Sequence, residues 1–245
     1  MRPPTPMALV WRRAMEVAYD AKLSSYGIDD LASFGMFRNF DVVNNSWGYD
    51  QPFSANSLTS AWVKGQIDGI EDAAQHGRNG LGTIVEFGAG NDYALGFDTN
   101  QQSDTASRHV ITTGAVNSTK NPGVSTPRYS TPGASILVSA AGTDMTAPAI
   151  KLTNADGDTL GAESEAEGGT SFAGPVVSGI AALMLEANAN LGYRDVQKIL
   201  AYSAHLVADA ATDWRYNGAT DWNGGGLHVS HDYGFGGVDN FRCAA

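Results

Sequence analysis

One serine stands where a nucleophile could act. It is Ser171, within the small-residue run Gly168-Gly169-Thr170-Ser171-Phe172-Ala173-Gly174-Pro175. Apolar residues follow at three- and four-residue steps, which predicts a buried helix with Ser171 at its N-terminus and Pro175 in the first turn. Unpaired N–H groups at a helix start favour negative charge, which suits a serine attacking a carbonyl group. The alternative is a glycine-rich helix cap with an incidental serine.

The elements that must position this serine alternate along the chain. The apolar pattern predicts strands over 41–45, 83–87, 109–116 and 135–140. It also predicts an amphipathic helix over 58–76, ended by Gly77 and Asn79-Gly80, and a second helix over 193–204. The alternation of helices and strands along the chain indicates an α/β fold with parallel strands.

Composition excludes several functions. The 245 residues suit one large α/β domain, and the net charge of −11 argues against nucleic-acid binding. The single cysteine, Cys243, excludes an intrachain disulfide and a cysteine-based zinc site. We expect no membrane-spanning run, and residues 1–15 lack the pattern of a secretion signal.

The serine run resembles a known signature. Gly169, Thr170, Ser171, Ala173 and Pro175 match Gly-Thr-Ser-x-Ala-x-Pro of the subtilases, the subtilisin-like serine proteases. The resemblance extends from about residue 17 to residue 239. It is nearest to the kexin/furin-like branch at the closing segment 228–236.

The resemblance implies a fold and an activity. We expect a subtilisin-like three-layer α/β/α architecture with a mostly parallel central sheet, its N-terminal part missing. Residues 1–16 stay unassigned, and 17–245 form the C-terminal part of a catalytic domain. The implied chemistry is peptide-bond hydrolysis through an acyl-enzyme on Ser171.

Two further segments gain roles from the resemblance. Gly88-Ala89-Gly90-Asn91 matches the family's strand end, where the asparagine amide donates to the oxyanion; that role falls on Asn91. Ser46-Trp47-Gly48 matches the family's substrate-binding backbone, as do Gly88, Ala89 and Gly90. The alternatives are a plain Gly-Asn turn and an ordinary core strand with Trp47 as a packing residue.

The chain departs from the family upstream. It has no Asp-Thr/Ser-Gly motif and no His-Gly-Thr motif, and no histidine precedes Ser46. We therefore expect an N-terminally truncated domain. Loss of the N-terminal segment is expected to leave Val42, Val43, Ile84 and Val85 uncovered. This chain alone is then expected to be inactive.

Metal sites receive little support. Asn154-Ala155-Asp156-Gly157-Asp158 invites a calcium-loop interpretation, but a β-hairpin is favoured because Thr159 stands where an EF-hand needs glycine. His228 and His231 have a ligand-like spacing, yet a structural role is favoured without a third ligand. No metal site and no cofactor are predicted from the residues, although the resemblance allows a structural calcium ion.

Two functions therefore compete. One is a serine endopeptidase domain acting on polypeptide substrates, with the missing N-terminal segment of the same domain as a partner. The other is a non-catalytic pseudoprotease or gene-fragment remnant that at most binds peptides. Neither nucleic acid nor a membrane is expected as a partner, and the resemblance implies a secreted, extracellular protein.

Overall fold

The computed structural model describes residues 17–25, 27, 31–116, 129–142, 152–153, 159–160, 169–208, 212–218 and 226–238. Its centre is a four-stranded parallel sheet in the order β1-β2-β3-β4. The strands are β1 (Val42–Asn45), β2 (Ile84–Gly88), β3 (Val110–Val116) and β4 (Ile136–Ala141). All four predicted strands are confirmed, with boundaries moved by one residue.

One face of the sheet is covered by the helices that precede β2. These are α1 (Ala32–Gly35) and α2 (Ala61–His76). The Ser60 hydroxyl caps α2 by accepting from the Val63 N–H, so the helix begins three residues later than predicted. Phe34, Ile70 and Phe87 meet there in an apolar cluster.

The other face is covered by α3 (Thr170–Ala187), the helix that carries Ser171, and by α4 (Tyr193–Ser203). Apolar side chains of α3 pack against Ile84, Ile111 and Val138 of three different strands. Helices on both faces of the sheet give the three-layer α/β/α architecture expected of a subtilisin-like fold.

Two expectations need correction. Helix α3 spans 18 residues and is apolar enough to cross a membrane, but 67% of it is buried, as in the core helix of a globular domain. Val43, Ile84 and Val85 are buried rather than uncovered, and Val42 is half-buried. Helices α1 and α2 on one face and α3 on the other already cover these strands.

Short elements complete the described chain. Strands β5 (Leu152–Thr153) and β6 (Thr159–Leu160) pair antiparallel, which confirms the predicted hairpin. Strands β7 (Arg215–Tyr216) and β8 (His228–Val229) also pair antiparallel. The 3-10 helices are Phe37–Asn39, Ser54–Asn56, Gly77–Gly80, Tyr93–Leu95 and Thr99–Gln101.

Candidate active site

Ser171 lies where the carboxyl ends of β1 and β2 meet the start of α3. Ligands of open α/β sheets bind at this edge, because the loops that leave the strands gather there. Ser171 is half-buried, and its Oγ lies 3.5 Å from the backbone oxygen of Ser46, directly after β1. Ser171 is also the second residue of α3, within the turn whose N–H groups lack partners inside the helix.

Asn91 is hydrogen-bonded to Thr170, the residue before the serine. Its Oδ1 accepts from the Thr170 N–H at 2.9 Å and from the Thr170 hydroxyl at 3.1 Å. Because Oδ1 is occupied, the amide nitrogen is the end of the side chain that remains to donate. The structure thus brings Asn91 and Ser171 together across 80 residues of sequence.

The segment 88–90 forms the turn that delivers Asn91. Gly90 has a left-handed φ of +99°, and its N–H donates to the Thr170 hydroxyl at 3.2 Å. A side chain at Gly88 would crowd that hydroxyl, since a Cβ there would lie 3.0 Å from it. Ala89 remains bonded to β3 through the Thr113 carbonyl at 2.9 Å. Gly88 is therefore favoured by its close approach to Thr170, and Gly90 by its left-handed backbone and its close approach to Thr131, whose hydroxyl would lie 2.9 Å from a Cβ at Gly90.

Ser46, Trp47 and Gly48 lie beside the serine but differ in environment. The Ser46 hydroxyl donates to the Ser171 carbonyl at 3.1 Å. The Trp47 ring packs edge-on against Phe87 at 5.5 Å, and its N–H donates to Asn45 Oδ1 at 3.2 Å. Trp47 is thus a packing residue of the α2 face, whereas Gly48 is exposed at the mouth of the groove.

The site opens into a groove of about 2250 Å³. Ser46–Gly48, Gly88–Asn91 and Ser171 all line it. All five histidines of the sequence fall within the described residues, and none of them lines this groove. His76 instead bonds Asp72, and His109 bonds Tyr193. The groove therefore holds a serine without an imidazole base.

Three groups around the site went unrecognised in the sequence. Thr170 orients Asn91, and Asn44 donates through Nδ2 to the Ser46 hydroxyl at 2.9 Å. Glu86 is fully buried in β2 beneath the first turns of α3. A charged residue at the centre of an otherwise apolar strand was the available signal for Glu86.

The Glu86 carboxyl has an unusual setting. Burial is the main cause that raises its pKa to about 8. Within the part of the chain that the structure describes, neither carboxyl oxygen has a hydrogen-bond partner, nor does the Thr113 hydroxyl. Gly174 provides the space, because a Cβ there would lie 2.5 and 2.6 Å from the two oxygens. Glu86 is consequently protonated at neutral pH.

A second buried carboxylate lies deeper along the groove. Asp104 accepts from Gln66 Nε2 at 3.0 Å and from the Thr105 N–H at 2.8 Å, and burial raises its pKa. Tyr49 donates to Gln66 Oε1 at 2.6 Å, and its own pKa is raised to about 12, mainly by burial. This network ties the segment after β1 to α2 and fixes one wall of the groove.

The described residues offer no donor set for a metal ion. No three His, Cys, Asp or Glu side chains gather within those ranges. His228 packs edge-on against Trp214 at 5.3 Å, and burial lowers its pKa. The loop 154–158, considered above for calcium, lies outside the described residues.

Known proteins with similar sequences include kexin and a kexin-like proprotein convertase. Kexin of Saccharomyces cerevisiae is 32% identical over 235 residues, which cover 91% of this chain and 26% of kexin. Proprotein convertase subtilisin/kexin type 6 of Rattus norvegicus is 32% identical over 238 residues, covering 91% of this chain and 23% of the relative. The chain thus spans about a quarter of the length of these curated relatives.

Solved structures share the fold. The serine protease of Aeromonas sobria superposes with a TM-score of 0.61 at 24% identity, over 84% of this chain and 43% of that one. A lanthipeptide protease gives 0.64 at 18% identity, over 96% and 73%. A model of the subtilase family, Peptidase S8, matches residues 15–236. The chain belongs to the subtilase family.

Proposed function

We propose that this chain is the serine-bearing part of a subtilisin-like serine endopeptidase acting on polypeptides. Ser171 is its nucleophile, and Asn91 is its oxyanion donor. The observation that carries the proposal is the pair of bonds from Thr170 to Asn91 Oδ1, at 2.9 and 3.1 Å. These bonds hold the Asn91 side chain beside Thr170, the residue that precedes Ser171, which supports the oxyanion role.

The reaction follows from these groups. Ser171 Oγ attacks the carbonyl carbon of the scissile peptide and loses its proton to a base. The Asn91 amide and the Ser171 N–H donate to the resulting oxyanion. Collapse breaks the C–N bond and leaves an acyl group on Ser171, while the base returns the proton to the departing amine. Water then hydrolyses the ester by the same steps.

The base and its orienting carboxylate come from outside this sequence. No histidine lines the groove, and neither upstream family motif is present. We propose that both are supplied by an N-terminal segment of the same domain, covering the groove beside β1. Ser46–Gly48 and Gly88–Gly90 are the backbone walls for the substrate strand.

A non-catalytic peptide-binding protein is the second candidate. The absence of a histidine from the lining of the groove favours this candidate. A serine without a neighbouring imidazole keeps the high pKa of an ordinary alcohol and attacks poorly. The groove and the backbone walls would then serve binding alone.

One inexpensive observation separates the candidates. We would translate the DNA upstream of Met1 in all frames and search for Asp-Thr/Ser-Gly and His-Gly-Thr. The endopeptidase proposal expects both motifs, and it expects the longer protein to be labelled by a fluorophosphonate at Ser171 but not in Ser171→Ala. An upstream region without the motifs, or a longer protein that resists labelling, supports the binding protein instead.

We also propose that the protein acts outside the cell. This rests on the resemblance to kexin-like proteases, and fractionation of the producing cells measures it. A structural calcium ion is part of the same expectation; calorimetric titration with calcium of the purified protein, after chelator treatment, tests it.

A further inference from the structure

Helix α3 contains a gap in its own hydrogen bonding at the nucleophile. The helix begins at Thr170, so Pro175 is its sixth residue and lies beyond the first turn, contrary to the sequence-based expectation. Proline has no N–H, and the carbonyl four residues before it loses its helical donor. That carbonyl belongs to Ser171.

The gap is filled from the sheet. The Ser46 hydroxyl donates to the Ser171 carbonyl at 3.1 Å, from the loop that directly follows β1. In return, the Ser171 hydroxyl points to the Ser46 carbonyl at 3.5 Å. Ser46 therefore contacts both the backbone and the side chain of the nucleophile.

Ser46 is itself held in place. Its hydroxyl accepts from Asn44 Nδ2 at 2.9 Å, and Asn44 Oδ1 accepts from the Ser178 hydroxyl at 3.4 Å. Ser178 lies two turns after Ser171 on α3. The relay Ser178–Asn44–Ser46–Ser171 thus leaves the helix, crosses β1 and returns to the helix at the serine.

We propose that Ser46 is a positioning residue for Ser171, replacing through its hydroxyl the helical N–H that Pro175 lacks. Asn44 and Ser178 orient that hydroxyl. This role of the side chain is separate from the substrate-binding role of the Ser46 backbone. As a statement about catalysis, it rests on the proposed endopeptidase function.

A double-mutant cycle tests the pairing of Ser46 with Pro175. The readout is amide hydrogen exchange of Thr170, Phe172 and Gly174, measured by NMR on the chain. We expect Ser46→Ala to raise these exchange rates three- to tenfold, equivalent to about 0.6–1.4 kcal/mol. Ser46→Thr keeps the hydroxyl, so its rates should stay within twofold of wild type.

Pro175→Ala restores a helical N–H for the Ser171 carbonyl. In that background we expect Ser46→Ala to change the exchange rates by less than twofold. Ser57→Ala is the matched control, since Ser57 is exposed and its hydroxyl bonds only Thr59 among the contacts described. Equal effects of Ser46→Ala in both backgrounds, or none in either, overturn the proposal. Unprotected α3 amides in the wild type overturn it as well.

The catalytic consequence is measured separately. In the longer protein with both upstream motifs, Ser46→Ala should lower kcat at least fivefold with KM within twofold, and Ser46→Thr should restore kcat. Equal loss in Ser46→Ala and Ser46→Thr contradicts the role of the hydroxyl. The hydrogen-exchange cycle needs no catalysis. An inactive longer protein would therefore refute the endopeptidase proposal, while the exchange rates would still measure the coupling between Ser46 and Pro175.

Discussion

At the scale of single residues, the contact with Thr170 separates the two ends of the Asn91 amide. The Asn91 oxygen accepts from Thr170 in the first turn of α3, and under the proposed function its nitrogen donates to the oxyanion. The oxygen of this amide would then contribute to stability and its nitrogen to the proposed reaction. Variants that keep one end and alter the other can separate these tasks.

Asn91→Ala removes the acceptor for the Thr170 N–H, so we expect it to lower the free energy of unfolding by about 0.5–2 kcal/mol, as loss of a helix cap does. Asn91→Asp keeps an acceptor and should lie within about 0.5 kcal/mol of wild type. Urea unfolding monitored by fluorescence measures both. If the two variants were equally unstable, the cap would not depend on the Asn91 oxygen.

Under the proposed function, Asn91→Asp should nevertheless disable the longer protein that carries both upstream motifs, because a carboxylate cannot donate. In subtilisin, a member of this family, loss of the oxyanion asparagine costs about 10²–10³ in kcat. A steady-state assay that found kcat unchanged in Asn91→Asp would remove Asn91 from the oxyanion site.

At the scale of elements, Glu86 links β2 to α3. The strand places a carboxyl group against Gly174, one turn beyond Ser171, with no basic group at hand. The neighbours of Glu86 on the packed elements, Asn44, Thr113 and Gly174, carry no charge. Ionisation of Glu86 would therefore place an uncompensated charge beneath helix α3.

The pH dependence of stability follows from this burial. The pKa of Glu86 is about 8 in the folded chain against 4.5 for an ordinary glutamate. The folded state thus binds the extra proton. The contribution of Glu86 to the free energy of unfolding is fully present below pH 4.5 and is lost as the pH rises through 8. The two pKa values correspond to at most about 5 kcal/mol.

We therefore expect Glu86→Gln to be less sensitive than wild type to a change from pH 5 to pH 8.5. Urea unfolding at both pH values measures the difference. Glu71→Gln, on the exposed face of α2, is the matched control. If wild type and Glu86→Gln lost the same free energy over this range, Glu86 would not be the group that titrates.

Regular elements were predictable because their apolar periodicity is local. The strands over 41–45 and 83–87 and the helix after Ser171 all appeared in place. Pro175 was misjudged because the helix start, at Thr170, depends on the cap from Asn91, 79 residues away. The contacts of Thr170 with Asn91 and of Asn44 with Ser178 escaped notice because they join distant elements, and the setting of Glu86 did so because helix α3 buries it.

At the scale of the whole molecule, β1 is the outer strand of the described sheet. It pairs with β2 on one side, and its other edge borders the groove. Its Val43 remains buried at 7% exposure, so the core is not open to solvent. This unpaired edge of β1 is a place where another strand can pair.

We expect the purified chain to associate in a concentration-dependent way, because a free strand edge pairs readily with another strand. The net charge of −11 opposes this association, so salt should increase it. Size-exclusion chromatography and calorimetry measure the effect. A monomer at all concentrations with one sharp melting transition would show the edge to be closed.

Under the proposed function, this chain holds the nucleophile and the oxyanion donor of a serine endopeptidase but not the base. The most direct measurement is intact-mass analysis after incubation with a fluorophosphonate, on the 245-residue chain and on Ser171→Ala. Without a base Ser171 attacks poorly, and in subtilisin loss of the histidine alone costs about as much as loss of the whole triad. Neither protein is expected to be labelled. Labelling of the chain that disappears in Ser171→Ala would contradict this expectation and would require a base among the residues already present.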